Sequence, residues 1–356
     1  MMGSSMDWTP ERVRAVLVDR IDRDKRSVGI AIGLIDETGR LVVGYGKFSL
    51  NDPREPGGET VFEIGSISKV FTAILLADMV QRDEVRLEDP VQLLLPESVR
   101  VPRQDGTEIS LYHLTTHTSG LPRMPANISP SDSSNPYANY TVDQMYEFLE
   151  DTVLDSKPGT QATYSNLGVG LLGHALGLRA GSDYETLVRE RIAKPLGMKD
   201  TMIALGPDQA KRLAPGHTLA LQPASNWELA TLAGAGALRS TVDDMLSFLA
   251  ANLGLKESSL LPAMQDTHRG REPMLAMEIG LGWVLREGHG RTITWHNGGT
   301  DGYHSFAGMD KDRRMGVVVL SNSTGDIDDI GFHLLDPRYA LARFKSADDA
   351  VEIESV

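Results

Sequence analysis

Apolar positions follow two different periods along this chain, one at its ends and another through its middle. Val13, Val16, Leu17 and Ile21 recur at helical spacing behind Thr9 and Pro10, a hydroxyl cap followed by a residue with φ preset for a first turn. They predict an amphipathic helix over residues 10–24. Val28 to Ile35 is a continuous apolar run of strand length. Asp36 to Gly39 turns it, and Leu41 to Tyr45 pairs back as a hairpin. Helical spacing then takes over. Ile67, Val70, Phe71, Ile74, Leu75 and Met79 mark one face of a helix from Ser66 to about Arg82. Thr141-Val-Asp-Gln144 is a capping box ahead of Met145, Phe148 and Leu149. Leu167 to Leu178 is a further helix, and Ser240-Thr241 caps one that carries Met245, Leu246, Phe248 and Leu249. Residues 123–140, rich in Pro, Ser and Asn, read as a long surface loop. The chain then returns to strands: Gly282–Leu285, Thr292–Trp295, His304–Met309 and Met315–Leu320 form a four-strand antiparallel meander. A short helix near 327–335 follows.

Strands at both ends and helices between them predict an α/β fold. One antiparallel sheet flanked by helices is built from both chain ends, and an all-helical domain is inserted into it. The expected boundaries are 1–80 and 265–356 for the sheet domain and 81–264 for the helical one. The cleft between them is the expected place for a site.

Composition narrows the chemistry. Thirty-five Lys and Arg against 49 Asp and Glu leave a formal charge of −14 over 356 residues, which argues against a nucleic-acid partner. The absence of Cys excludes disulfides, thiolate metal sites and a cysteine nucleophile. No apolar run approaches the roughly 20 residues of a membrane-crossing helix. Met1 to Met6 has neither a basic nor an apolar signal region, so the chain as written reads as cytoplasmic, and as periplasmic or secreted had a signal preceded it. The acidic stretch Asp348–Glu354 reads as a frayed terminus.

Three short elements carry chemistry. Ser66-Ile-Ser-Lys69 is the only Ser-x-x-Lys in the sequence, and it opens the apolar helix. A serine hydroxyl needs an adjacent base or positive charge to act as a nucleophile, and a lysine one turn along supplies it. Tyr164-Ser-Asn166 precedes another helix. A phenol beside an ammonium is expected to have its pKa lowered enough to serve as a base. Tyr137-Ala-Asn139 repeats the pattern, but inside the polar loop, so Tyr164 is preferred. His296-Asn-Gly298-Gly299 ends a strand, where glycines let a substrate approach and an amide N–H face an oxyanion. Gly168-Val-Gly-Leu-Leu-Gly173 matches a dinucleotide fingerprint but lies in the helical stretch, where its glycines fit close helix packing. His113 and His117, at helical spacing, lack the acidic partner of a zinc helix and read as structural.

In this order the three elements resemble the penicillin-binding-protein-like serine hydrolases, which include class C β-lactamases, D-stereospecific peptidases and family VIII carboxylesterases. Phe62 to Phe71, Leu114-Thr-Thr-His-Thr-Ser-Gly-Leu-Pro122, Pro158-Gly159 and Gly236-Ala-Leu-Arg-Ser-Thr241 look like the same family, so the likeness runs from about residue 10 to 335. The resemblance implies a β-lactamase/transpeptidase-like fold and a hydrolase without metal or cofactor, acting through an acyl-enzyme. Ser66 would be the nucleophile, Lys69 and Tyr164 the proton-handling pair, and Asn166 a positioning residue. The N–H groups of Ser66 and Gly299 would form the oxyanion hole, with His296 and Gly298 along the substrate edge. The small-molecule substrates implied are esters, D-amino-acid amides or peptides, or β-lactams. Class C β-lactamases have lysine where this chain has His296. An imidazole of reference pKa ~6.5 is only partly protonated near neutrality, so esters and D-peptides are expected above β-lactams. A non-catalytic binder of peptidoglycan fragments is the alternative of another class.

Overall fold

The computed structural model describes residues 8–344. Met1–Met6 and the acidic stretch Asp348–Glu354 lie outside the described residues.

The N-terminal helix α1 (Pro10–Val18) is capped by Thr9, whose side chain accepts from the Arg12 amide. Its expected second half, 19–23, continues as one wider turn. Strands β1 (Gly29–Asp36) and β2 (Gly39–Gly46) form the hairpin. Between β2 and the C-terminal strands lie β3 (Val61–Glu63) and β4 (Arg239–Thr241), a separate two-stranded ribbon. Then follow β5 (Glu272–Met274), β6 (Met277–Ile279), β7 (Val284–Gly288), β8 (Arg291–Gly299), β9 (His304–Asp310) and β10 (Met315–Ser321). The main sheet has eight antiparallel strands in the order β2-β1-β10-β9-β8-β7-β6-β5. The expected four-strand meander is present, extended at one edge by β5 and β6. The other edge is the N-terminal hairpin, joined through Ile30–Ser321 to Ile35–Gly316.

Continuous apolar runs such as β1 follow from burial on both faces. Ile30, Ile32, Leu34, Val317 and Val319 pack with Val13, Leu17, Ile330 and Leu334 beneath α1 and the helix Asp328–Leu335. Ala31, Val318 and Leu320 face the other way, into a larger core shared with the helices of the middle segment. Each fully buried Val, Leu or Ile there contributes roughly 1.5–3 kcal/mol.

Three helices of the middle segment bear on the site: α2 (Ser68–Gln81), α3 (Leu111–Thr115) and, after the capping-box helix α4 (Val142–Asp151), α5 (Asn166–Ala180). Thr141 and Gln144 make the reciprocal capping bonds. Residues 168–173 lie inside α5, where a methyl on Gly173 would stand 2.9 Å from Gly234 Cα. The glycines therefore serve contact between α5 and the helix Ala233–Gly236. His113 lies in α3, but His117 sits beyond its end with φ +60°, so the two do not share a helix. No described helix is long and apolar enough to cross a membrane.

Candidate active site

The site forms where the β3 ribbon, α2, α5 and the end of β8 meet. From Val61 to Met79 every residue is buried except Ser66. Ser66 sits in a 3₁₀ turn, Gly65–Ile67, immediately before α2 rather than in its first turn. The turn hands the chain from a buried strand to a buried helix and leaves one hydroxyl facing the cleft. Gly65 makes the turn with φ +48°, and a methyl there would stand 2.8 Å from the Gly299 amide nitrogen. A methyl on Gly298 would lie 2.1 Å from the Ile64 carbonyl oxygen and 2.8 Å from the Ser66 nitrogen. Past Trp295, β8 is no longer paired with β7, and the Ile64–Ser66 backbone takes that side. The Ser66 and Gly299 amides are thus brought together.

Lys69, one turn along, is fully buried. Its Nζ donates to Ser66 Oγ at 2.9 Å and to the Ala235 carbonyl at 2.6 Å. Among the described residues no acid pairs with it. Burial, with the Arg123 charge added, pushes this ammonium well below its usual range. Lys69 Nζ also stands 4.8 Å from the centre of the Tyr164 ring, and the Arg123 guanidinium lies 5.0 Å over the same ring. The Tyr164 hydroxyl hydrogen-bonds Ser66. Burial nevertheless pushes this phenol up to about 12, against the lowering effects of Ser66 and Arg123. The expectation of a phenol acidified by its neighbours is therefore corrected. Of the two proton-handling candidates, burial therefore disfavours the charged form of the amine and favours the protonated phenol.

Tyr164 is placed by what lies on either side of it. Ser165 caps α5, accepting from Gly168 N at 2.9 Å and donating to the Pro122 carbonyl at 2.6 Å. His117 accepts from Ser165 N through Nδ1 at 3.2 Å, and its ring lies 4.5 Å from that of Tyr164. His117 was set aside in the sequence as merely structural. It positions the tyrosine, and the stretch Leu114–Pro122 carried the signal. Asn166 N donates to the Arg123 carbonyl at 2.9 Å, and Asn166 Nδ2 contacts Met124 Sδ at 3.3 Å rather than Lys69.

A cavity of about 490 Å³ opens in front of Ser66. Ser66, Tyr164, Asn166, Gly298 and Gly299 line it, whereas Lys69 and His296 stand behind its wall. His296 is 3 % exposed, and its Nδ1 lies 2.5 Å from the Asn297 carbonyl. Burial, helped by the Lys69 charge, pushes its pKa down to about 3. The expected partly protonated imidazole on the substrate edge is corrected to a neutral one behind it. The cavity also holds residues that the sequence reading missed or dismissed: Arg123, Trp227, His304 and Tyr137. Tyr137, expected to stay off the site, packs edge-on against Trp227 with ring centres 5.0 Å apart.

Comparison with known proteins agrees with this arrangement. The Beta-lactamase family model matches residues 15–335. The chain is 31 % identical over 350 residues to the D-alanyl-D-alanine-carboxypeptidase/endopeptidase AmpH of Escherichia coli K12, covering 94 % of this chain and 85 % of that protein. It is 27 % identical over 339 residues to a β-lactamase of Pseudomonas fluorescens, covering 86 % and 91 %. The crystal structure of β-lactamase/D-alanine carboxypeptidase from Yersinia pestis complexed with citrate superposes with a TM-score of 0.79 at 25 % identity, covering 91 % of this chain and 98 % of that one. A cleft-facing Ser66 hydrogen-bonded to a buried Lys69 under a β-lactamase/transpeptidase fold, matched over nearly its whole length, makes this chain a serine hydrolase of the Beta-lactamase family.

Proposed function

We propose that the chain hydrolyses D-amino-acid amides and peptides, and small esters, through an acyl-enzyme on Ser66. The observation that carries the reading is the buried Lys69 amine 2.9 Å from the Ser66 hydroxyl, with no acid paired to it among the described residues. With the amine neutral, the contact runs from the hydroxyl to nitrogen. Lys69 takes the Ser66 proton as Oγ attacks the carbonyl carbon. The carbonyl oxygen becomes an oxyanion, held by the Ser66 and Gly299 amides. Tyr164 gives its proton to the departing nitrogen or oxygen as that bond breaks, and regains one from the Lys69 ammonium. Water reverses the sequence and frees Ser66. The likeness to AmpH favours the D-peptide class.

The test is a fluorophosphonate or labelled penicillin followed by mass measurement, beside rates on short p-nitrophenyl esters, D-Ala-p-nitroanilide and nitrocefin. A single adduct on Ser66, lost in Ser66→Ala, is expected. Absence of any adduct points to a non-catalytic binder of peptidoglycan fragments. Nitrocefin turnover exceeding that of the esters and the anilide reverses the ranking in favour of a β-lactamase. A Ser66→Ala variant that keeps more than about a hundredth of the ester rate overturns the nucleophile assignment.

A further inference from the structure

The cavity departs in charge from the chain that encloses it. The chain carries a formal −14, yet no Asp or Glu lines the cavity, and one guanidinium does, that of Arg123. Among the described residues this guanidinium has no ion pair and no hydrogen-bond partner; its contact is the Tyr164 ring. Arg239, by comparison, is tied to Glu63 at 3.1 Å and to the Ile203 carbonyl at 2.5 Å. Arg123 is held by its backbone instead. Its carbonyl accepts from Asn166 N at 2.9 Å and Leu167 N at 3.3 Å, at the start of the helix that carries the Tyr164 motif. A charged fork with five free donors thus stands on the wall that Ser66 opens into. Planar forked donors match carboxylates in two-point contact.

The other basic groups nearby are not available for that task. His296 is buried and neutral behind the wall. Lys69 points at Ser66 and Ala235. His304 lines the cavity, but its Nε2 is engaged by Asp328 Oδ1 at 3.2 Å.

Resting on the proposed function, we infer that Arg123 is a specificity-determining residue that receives a substrate carboxylate. The site then takes acyl donors bearing a free carboxylate, such as a peptide ending in a D-amino acid, in preference to their neutral counterparts.

Binding tests this without turnover. In Ser66→Ala protein, N-acetyl-D-alanyl-D-alanine is titrated calorimetrically against its C-terminal amide. The acid is expected to bind roughly ten- to a hundredfold more tightly, with a preference that shrinks as salt is raised. Adding Arg123→Gln should abolish the preference, and Arg123→Lys should restore part of it. With Ser66 intact, the ratio of kcat/KM for acid over amide should fall by the same factor in Arg123→Gln. Equal affinities for acid and amide, a preference that survives Arg123→Gln, or an equal loss on both ligands overturns the inference. Ser66 acylation with no Arg123-dependent preference removes this inference alone. Arg123-dependent acid binding without any acylation keeps it and removes the proposed activity.

Discussion

Tyr164-Ser-Asn166 and Tyr137-Ala-Asn139 are the same tripeptide pattern, and both tyrosines face one cavity. They differ in what stands behind them. Tyr164 precedes a cap residue locked to α5, to Pro122 and to His117, and the buried Lys69 amine lies under its ring. Tyr137 belongs to a loop braced within itself by Asn139 to Ser129 and against the 225–228 segment by Ser134 and Asn135, and it leans on Trp227. A motif becomes a candidate for chemistry when its neighbours fix a proton donor against a nucleophile. Without them the same residues can still shape a wall.

The strongest way to break this comparison is to remove each hydroxyl. Tyr164→Phe should lower kcat/KM by ~10² to 10⁴, the usual worth of positioned proton transfer. Tyr137→Phe should cost less than about threefold, since its hydroxyl has no hydrogen-bond partner among the described residues. Steady-state rates on one ester and one D-amide decide it. Equal losses would mean that support does not distinguish the two motifs.

A second change attacks the ground behind Tyr164. His296→Lys, which introduces the residue class C β-lactamases have at this place, would put an ammonium into the buried space beside Lys69. An uncompensated buried charge costs about 3–5 kcal/mol. Urea unfolding should show a loss of that order, and nitrocefin and p-nitrophenyl acetate rates should drop in parallel. A selective gain on nitrocefin would place position 296 at the substrate after all.

How much of this was legible in the sequence follows the same division. Burial on both faces writes itself into a strand as an unbroken apolar run, so β1 and β10 were visible, and the Thr141–Gln144 box and the Ser66–Lys69 spacing are local signals. The short edge strands β5 and β6 meet at Leu275, which is exposed with φ +56°, and no apolar period marks them. The wall residues were hidden for another reason. Trp227 is placed by its amide bonding Glu63, and the loop around Tyr137 by Ser134 meeting Ser225 and Asn135 meeting Glu228. Those contacts join segments about 90 to 160 residues apart, beyond the reach of any local pattern. The protonation of His296 and Tyr164 depends on desolvation, which spacing does not reveal.

Tyr137→Ala sharpens the wall side of the comparison. Removing the ring takes away an edge-on aromatic pair worth ~0.5–1.5 kcal/mol, so KM should rise by roughly two- to twelvefold while kcat changes less. A fall confined to kcat would instead move Tyr137 from the wall into the proton path.

The smallest expected effect is none, and it separates a neutral support from a charged one. A base must be deprotonated to act, so the rate should rise with pH through the pKa of Lys69, which lies well below the ordinary lysine range. It should fall only near the value of about 12 at which Tyr164 loses its proton. His296, pushed down to about 3, is neutral throughout the interval between. The ratio of nitrocefin to p-nitrophenyl acetate hydrolysis should therefore stay flat from about pH 6 to 8, the interval in which a histidine of ordinary pKa titrates. A ratio that climbs as pH falls toward 6 would show an imidazole charging at the substrate. If the climb persists in His304→Gln, which removes the imidazole that lines the cavity, the neutral His296 behind the Tyr164 ring would be wrong.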